Sequence, residues 1–302
     1  MRATELVYSS HDRCEVIHRD WIVQRILESE KKTVLYLPMS SVSKGDQEYS
    51  WGTFSWYFDR FRPMGLVPRH QLYDSEMSVA DAKVLLEWLA QSDVVILGGG
   101  ETKTGMLRYQ AVAERATGNP GAFCQILKQR QANGLLTAGF SAGAVQLCQH
   151  SFDDAGAVFG LVRNVITTLH YEPAGAKFLQ GIAQRYPDCL VFGLPNDSGI
   201  AVSQGTTKGG KVWQHIEFVA DYSWDKPEDQ WHIKTRQGVK VEHRYADGRS
   251  WSFNGGDVLV RVFDPKRGDS TYIKWPDGPV FCDRNTQGET PYRSVEEIIE
   301  KN

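Results

Sequence analysis

Apolar residues in the first two thirds of the chain fall into short unbroken runs, separated by longer stretches with helical spacing. Glu5–Tyr8, Thr33–Leu37, Asp93–Leu97, Leu190–Gly193 and Gly199–Ser203 read as buried strands, because a run without polar alternation suits a strand covered on both faces. Between the first two, Val16, Ile17, Ile22, Val23, Ile26 and Leu27 recur at helical spacing. Ser78 and Asp81 have the form of a capping box, and Ala82, Leu85, Leu86 and Leu89 follow on one helix face. Strands alternating with helices predict an α/β fold: a mostly parallel sheet with helices on both faces and a site at the carboxyl ends of the strands.

Near residue 210 the pattern changes to β. Val239–Tyr245 and Arg249–Phe253 flank Ala246, Asp247 and Gly248, a hairpin signal. Val258–Phe263 and Thr271–Trp275 follow, and Ser294–Lys301 predicts a short terminal helix. The expected division is therefore an α/β unit over 1–210 carrying the site, with a β-rich region over 211–302 packed on it. Trp213, Trp224, Trp231, Trp251 and Trp275 crowd this region; a small sheet's own core and its seam with the first unit account for them, with a ligand groove or partner surface as the other use. Ser40–Trp56 is polar and aromatic with little periodicity, and reads as a flap over the site or a loop with a short helix.

Composition narrows the function by exclusion. A net charge of −3 over 302 residues gives no footprint for nucleic acid or an anionic membrane surface. No apolar stretch is long enough to span a bilayer, and the start has no leader pattern, so cytoplasm is the expected location. The five cysteines are scattered without metal-binding spacing, which fits buried inert thiols and predicts no metal or other cofactor.

Chemistry enters at residues 139–144, Gly-Phe-Ser-Ala-Gly-Ala, directly after the apolar run 135–138. A strand turning abruptly into a helix pushes its turn residue out of the sheet edge, and small flanking residues let the backbone pass. Ser141 is thus a candidate nucleophile, with helix N–H groups beneath it; a plain helix N-cap is the alternative. Gly98, Gly99 and Gly100, before Glu101 and Thr102, end the strand Asp93–Leu97. Gly99 or Gly100 could pair with the Ala142 N–H as an oxyanion hole; the residues do not fit a phosphate or dinucleotide loop. Among eight histidines, His170 stands at the end of a β-rich run, where a catalytic base of such a sheet sits. His150 lies along the helix after Ser141 and points away. The third member should be a carboxylate fixing the imidazole tautomer. Asp153 and Asp154 are the first candidates, Asp197 on a later strand end could also reach, and Glu172 is too close to His170 in sequence.

Four blocks together resemble the dipeptidase E and cyanophycinase family of serine peptidases: Val94–Thr102, Ala138–Ala144, Leu169–Tyr171 and Phe192–Val202. The resemblance implies a class I glutamine amidotransferase-like fold and a Ser–His–acid hydrolase acting on peptide or amide bonds of small peptides, or on an aspartate-rich polymer. It makes Ser141 the nucleophile, His170 the base, and Gly99 or Gly100 with Ala142 the oxyanion hole. It places the acid shortly after the serine block, where Asp153 and Asp154 stand somewhat early. Glu101 replaces an asparagine of the dipeptidase, so Glu101 and Thr102 are expected to contact substrate and Glu101 to favour an amine or basic side chain over aspartate. Partners are then a small peptide or amide substrate and at most a second copy in a homodimer. Two other readings remain: an esterase-type α/β-hydrolase, with His215, His232 or His243 as base, and a non-catalytic ligand-binding or scaffold protein of the same fold.

Overall fold

The computed structural model describes residues 2–10, 15–153, 155–220, 240–264, 266, 268–283 and 292–302. The chain begins with β1 (Glu5–Tyr8), a π-helical stretch (Ile17–Val23) that continues as α1 (Gln24–Leu27), and β2 (Thr33–Leu37). Then come α2 (Lys44–Asp59), β3 (Val67–His70), α3 (Val79–Gln91), β4 (Val94–Leu97), α4 (Thr102–Thr117) and α5 (Ala122–Ala132). β5 (Leu136–Phe140) leads into α6 (Ala142–Leu147), followed by β6 (Val165–Leu169), α7 (Ala176–Arg185) and β7 (Leu190–Leu194). The remainder is β8 (Ser198–Thr206), β9 (Val212–Ala220), β10 (Val241–Arg244), β11 (Ser250–Phe253), β12 (Val258–Asp264), β13 (Gly268–Lys274), β14 (Cys282–Asp283) and α8 (Val295–Lys301).

A ten-stranded sheet in the order β14-β13-β12-β9-β8-β1-β5-β4-β2-β3 forms the centre, and β11-β10-β7-β6 form a second, four-stranded sheet. Only β1, β5, β4, β2 and β3 of the large sheet are parallel; β8 turns against β1, and the strands beyond it are antiparallel. The sheet is therefore more mixed than the sequence pattern predicts, since buried parallel and buried antiparallel strands share the same apolar runs.

Alternation along each strand divides the core. Leu35, Leu37, Val95 and Leu97 pack with α3, α4, α5 and the second sheet. Val34, Tyr36, Val94 and Ile96 face the other way, onto Ile17, Ile22, Ile26, Phe54 and Phe58. Each such side chain contributes roughly 1.5–3 kcal/mol by leaving water. The predicted first helix is π-helical over Ile17–Val23, and the physical reason lies in its buried positions. Ile17 and Ile22, and His18 and Val23, are each five apart, the spacing that a π turn stacks on one face. Most of the stretch 40–56 belongs to helix α2, capped by Ser43, which accepts from the Asp46 amide, while Asp46 accepts from the Ser43 amide at 3.0 Å.

The division expected at residue 210 falls in the turn between β8 and β9, strands paired from Ser198–Ala220 to Thr206–Val212. β12 continues that sheet and the β10–β11 hairpin joins β7, so the later strands extend both sheets. Buried Arg261 ties them to the earlier part: its guanidinium donates to the carbonyls of Asn164 and Asp188 and pairs with Asp269 at 2.8 Å. Trp251 packs on the main core and Trp213 within the C-terminal cluster. Trp275 is largely exposed, and Trp224 and Trp231 lie outside the described residues.

One carboxylate is buried at the start of β1. Glu5 is fully buried on β1, with its Oε2 accepting from Thr4 Oγ1 at 2.8 Å. Burial pushes its pKa up from 4.5 to about 8, so folding takes up a proton between those values. The stability this group contributes is complete below about pH 4.5 and is lost as pH rises through about 8. Glu5→Gln should flatten this slope and stabilise the protein at about pH 8 by up to a few kcal/mol; denaturant titrations across pH check it, and an unchanged slope would refute it.

Candidate functional site

Ser141 occupies the single residue between β5 and α6, with φ 49° and ψ −120°. An L-residue in that region is strained by about 1–3 kcal/mol, and the surroundings hold it there. Its N–H donates to the Tyr8 carbonyl at 3.2 Å, and its carbonyl accepts from Ala144 and Val145. The flanking glycines answer to contact. A Cβ on Gly139 would lie 2.4 Å from the Gly143 carbonyl oxygen, and one on Gly143 would lie 2.1 Å from the Leu97 carbonyl oxygen. The helix thus presses directly onto β4 and β5.

The glycine turn after β4 lies against the serine. A Cβ on Gly99 would come within 3.2 Å of the Ser141 Cβ, and Gly100, at φ 130°, would clash with the Ser40 backbone. Gly98 and Glu101 spend their amides on the carbonyls of Leu37 and Ser40. Among the described residues, the amides of Gly99 and Gly100 have no backbone acceptor. Ala142, first in α6, has no intrahelical acceptor for its N–H either.

His170 follows β6 with φ 51°. Its amide donates to Ser9 Oγ at 2.7 Å, and its Nδ1 bonds to Asn196 Oδ1 at 2.6 Å. An amide oxygen accepts, so Nδ1 carries the proton and Nε2 is the basic nitrogen. β6 and β7 are parallel with Leu169 opposite Leu194; His170 is one residue past one strand end and Asn196 two past the other. The neighbouring Tyr171 lies over Gly193, where a Cβ would come 2.5 Å from its ring, and its hydroxyl donates to Glu242 on β10 at 2.7 Å. A cleft of about 320 Å³ brings together Ser141, His170, Gly99, Gly100, Phe140, Ser10 and the start of the α2 segment, Ser41 to Ser50.

Other expected site residues lie elsewhere. The Asp153 carboxylate accepts from Thr102 Oγ1 at 2.8 Å and bonds Ser151, so it braces the start of α4 and Asn196 takes the His170 ring in its place. Thr102 is buried, and its carbonyl accepts from Gln146; it faces structure, not the cleft. Glu101 is exposed, accepts from Thr104 Oγ1 at 2.9 Å and is absent from the cleft lining, because the helix that begins at Thr102 draws its carboxylate onto the first turn. Asp154 lies outside the described residues. Asp197, beside Asn196, is buried with φ 64°. His150 stacks on Tyr186 at 4.6 Å, away from the cleft. Reasoning from sequence missed Asn196, Asp46 and Tyr49. Asn196 carried one signal, its place just beyond a strand end.

Of the late histidines an esterase would need, His243 is buried and bonded to the Val191 carbonyl. Burial pushes His215 on β9 down to about 4, and His232 lies outside the described residues. Among the described residues no group of three or more His, Cys, Asp or Glu could hold a metal, and no helix is long and apolar enough to cross a membrane.

A serine on a strand-to-helix turn, sharing a cleft with a histidine and a glycine turn in an α/β frame, defines the serine hydrolase class of site. The chain belongs to peptidase family S51, which it matches over residues 6–208. It is therefore a peptidase, of the serine type, and the esterase and scaffold readings are set aside. Among solved structures it is similar to a peptidase from an acI-B1 Actinobacterium, with a TM-score of 0.52 and 16% identity over 83% of this chain and 97% of that one. A protein from Listeria monocytogenes EGD-e with a provisional peptidase E designation is 17% identical over 67% of this chain and 94% of its own, with a TM-score of 0.42. At such identity the first likeness speaks to the fold. No curated relative matches the sequence.

The close approach of α6 yields a test. Gly143→Ala should destabilise the protein at or beyond the upper end of the roughly 1–3 kcal/mol typical of overpacking, read as a lower denaturation midpoint; a midpoint equal to that of the parent would contradict the 2.1 Å approach.

Proposed function

We propose that this peptidase hydrolyses amide bonds of small peptides with Ser141 as nucleophile, His170 as general base and Asn196 as the residue that orients the imidazole. The observation that carries the reading is the 2.6 Å bond between Asn196 and His170, whose ring lines the same cleft as Ser141. The cleft's volume, about 320 Å³, lies at the small end of ligand sites, roughly 300–1,000 Å³, which suits a short peptide.

His170 Nε2 takes the hydroxyl proton as Ser141 Oγ attacks the scissile carbonyl. The carbon becomes tetrahedral and its oxygen gains charge. The Ala142 N–H and those of Gly99 or Gly100 are the unspent donors near that oxygen, each worth about 3–4 kcal/mol by analogy with other hydrolases. Protonated His170 then gives its proton to the leaving amine, and the C–N bond breaks. Water, deprotonated by the same nitrogen, attacks the acyl-enzyme, and Ser141 regains its proton as the acid product leaves. Asn196 fixes the tautomer but, being neutral, does less for the transient imidazolium than a carboxylate would.

Ser141→Ala and His170→Ala should each lower kcat/KM on a dipeptide substrate by about 10⁴-fold or more. Asn196→Asp should raise the imidazole pKa and move the acid limb of the pH–rate profile to higher pH. Retained turnover in Ser141→Ala would refute the assignment, and an unmoved acid limb in Asn196→Asp would remove Asn196 from it.

A further inference from the structure

The geometry points to Asp46 and Tyr49 as a subsite, in the Ser141 cleft, for a cationic group of the substrate, an ammonium or guanidinium. This deepens the proposed peptidase reading and rests on it. Asp46 is the one carboxylate among the described residues that line the cleft, and neither lysine nor arginine is among them. The nearby guanidinium of Arg108 is spent on the carbonyls of Met39, Ser41 and Val42.

The cap holds Asp46 in place without using it up. Its Oδ2 takes both bonds from Ser43, from the amide at 3.0 Å and from the hydroxyl at 2.7 Å, while Oδ1 has no hydrogen-bond partner among the described residues. Those bonds lower its pKa, so it stays ionised at neutral pH. Three residues on, Tyr49 lies on the same helix face and is 73% exposed, though it also lines the cleft.

Capping by itself does not account for this pairing. Ser78 and Asp81 form an equivalent box on α3, but the residue three beyond Asp81 is Val84, and neither lines the cleft. A carboxylate beside an uncovered aromatic ring is the chemistry that recognises an ammonium or guanidinium group. The preference for an amine expected of Glu101 thus passes to Asp46, which lines the cleft where Glu101 does not.

Binding to the Ser141→Ala protein, measured by calorimetry, tests this independently of turnover. Four probes separate the sources of charge: Lys-Ala-amide, N-acetyl-Lys-Ala-amide, Nle-Ala-amide and N-acetyl-Nle-Ala-amide, Nle being norleucine. They carry both cations, only the side-chain cation, only the α-ammonium, and neither. At least one single-cation probe should bind about tenfold tighter than the uncharged one, and the tighter of the two names the source. Asp46→Asn should reduce that preference to within about threefold, and added salt should weaken it. Tyr49→Leu, at an exposed position that does not threaten folding, should reduce it about threefold. Equal binding of all four probes, no detectable binding of any, or a preference that survives Asp46→Asn would overturn the inference. A preference that persists while the parent protein turns over no peptide would leave the subsite standing and remove the proposed mechanism.

Discussion

The approach of α6 to β4, closer than any side chain allows, is the constraint on which the site rests. Gly143 meets the Leu97 carbonyl, and Gly139 meets Gly143. With those two contacts fixed, the residue between strand and helix has no relaxed conformation available, and Ser141 is held at positive φ. The cost of about 1–3 kcal/mol is small beside the buried strands on either side, where Leu97, Ile96 and Ala138 are wholly inaccessible to water. The same packing places the glycine turn after β4 beside the serine, because β4 and β5 are neighbours in register from Val94–Leu136 to Leu97–Gly139.

The histidine comes from a different layer. β6 and β7 belong to the smaller sheet, yet His170 is anchored to Ser9 at the end of β1 in the larger one. The later strands support it from behind: β10 pairs with β7 and presents Glu242 to the hydroxyl of Tyr171. The residues beyond the family match, from 209 on, thus brace the backbone beside His170, and Arg261 fixes the loops that precede β6 and β7.

Much of this frame was legible in the chain. The runs 6–8, 34–37 and 94–97 are unbroken and apolar, and the Ser78–Asp81 capping box and the 246–248 turn follow from short-range side-chain bonds and backbone freedom, while the Ser43–Asp46 box emerges only in the fold. The π-helical stretch was not, since isoleucines at mixed spacing of four and five fit either helix until the core face is known. Nor was the antiparallel placement of β8, because direction leaves no trace in a run of buried residues. The family resemblance made Glu101 and Thr102 expected cleft residues; helix α4 turns one outward and buries the other.

The sequence by itself determined most of the strands, the small-residue turn around Ser141 and the strand-end position of the histidine, because each is written in residues a few places apart, whereas the strain at Ser141 comes from the approach of Gly143 to Leu97. Only the tertiary structure decided that Asn196 and not Asp153 bonds the imidazole, that Asp46 and Tyr49 line the cleft, and that the late strands complete both sheets. Those outcomes depend on the register of parallel strands and the angle at which two sheets pack. Register and packing angle are set by the whole core at once and are written in no single segment.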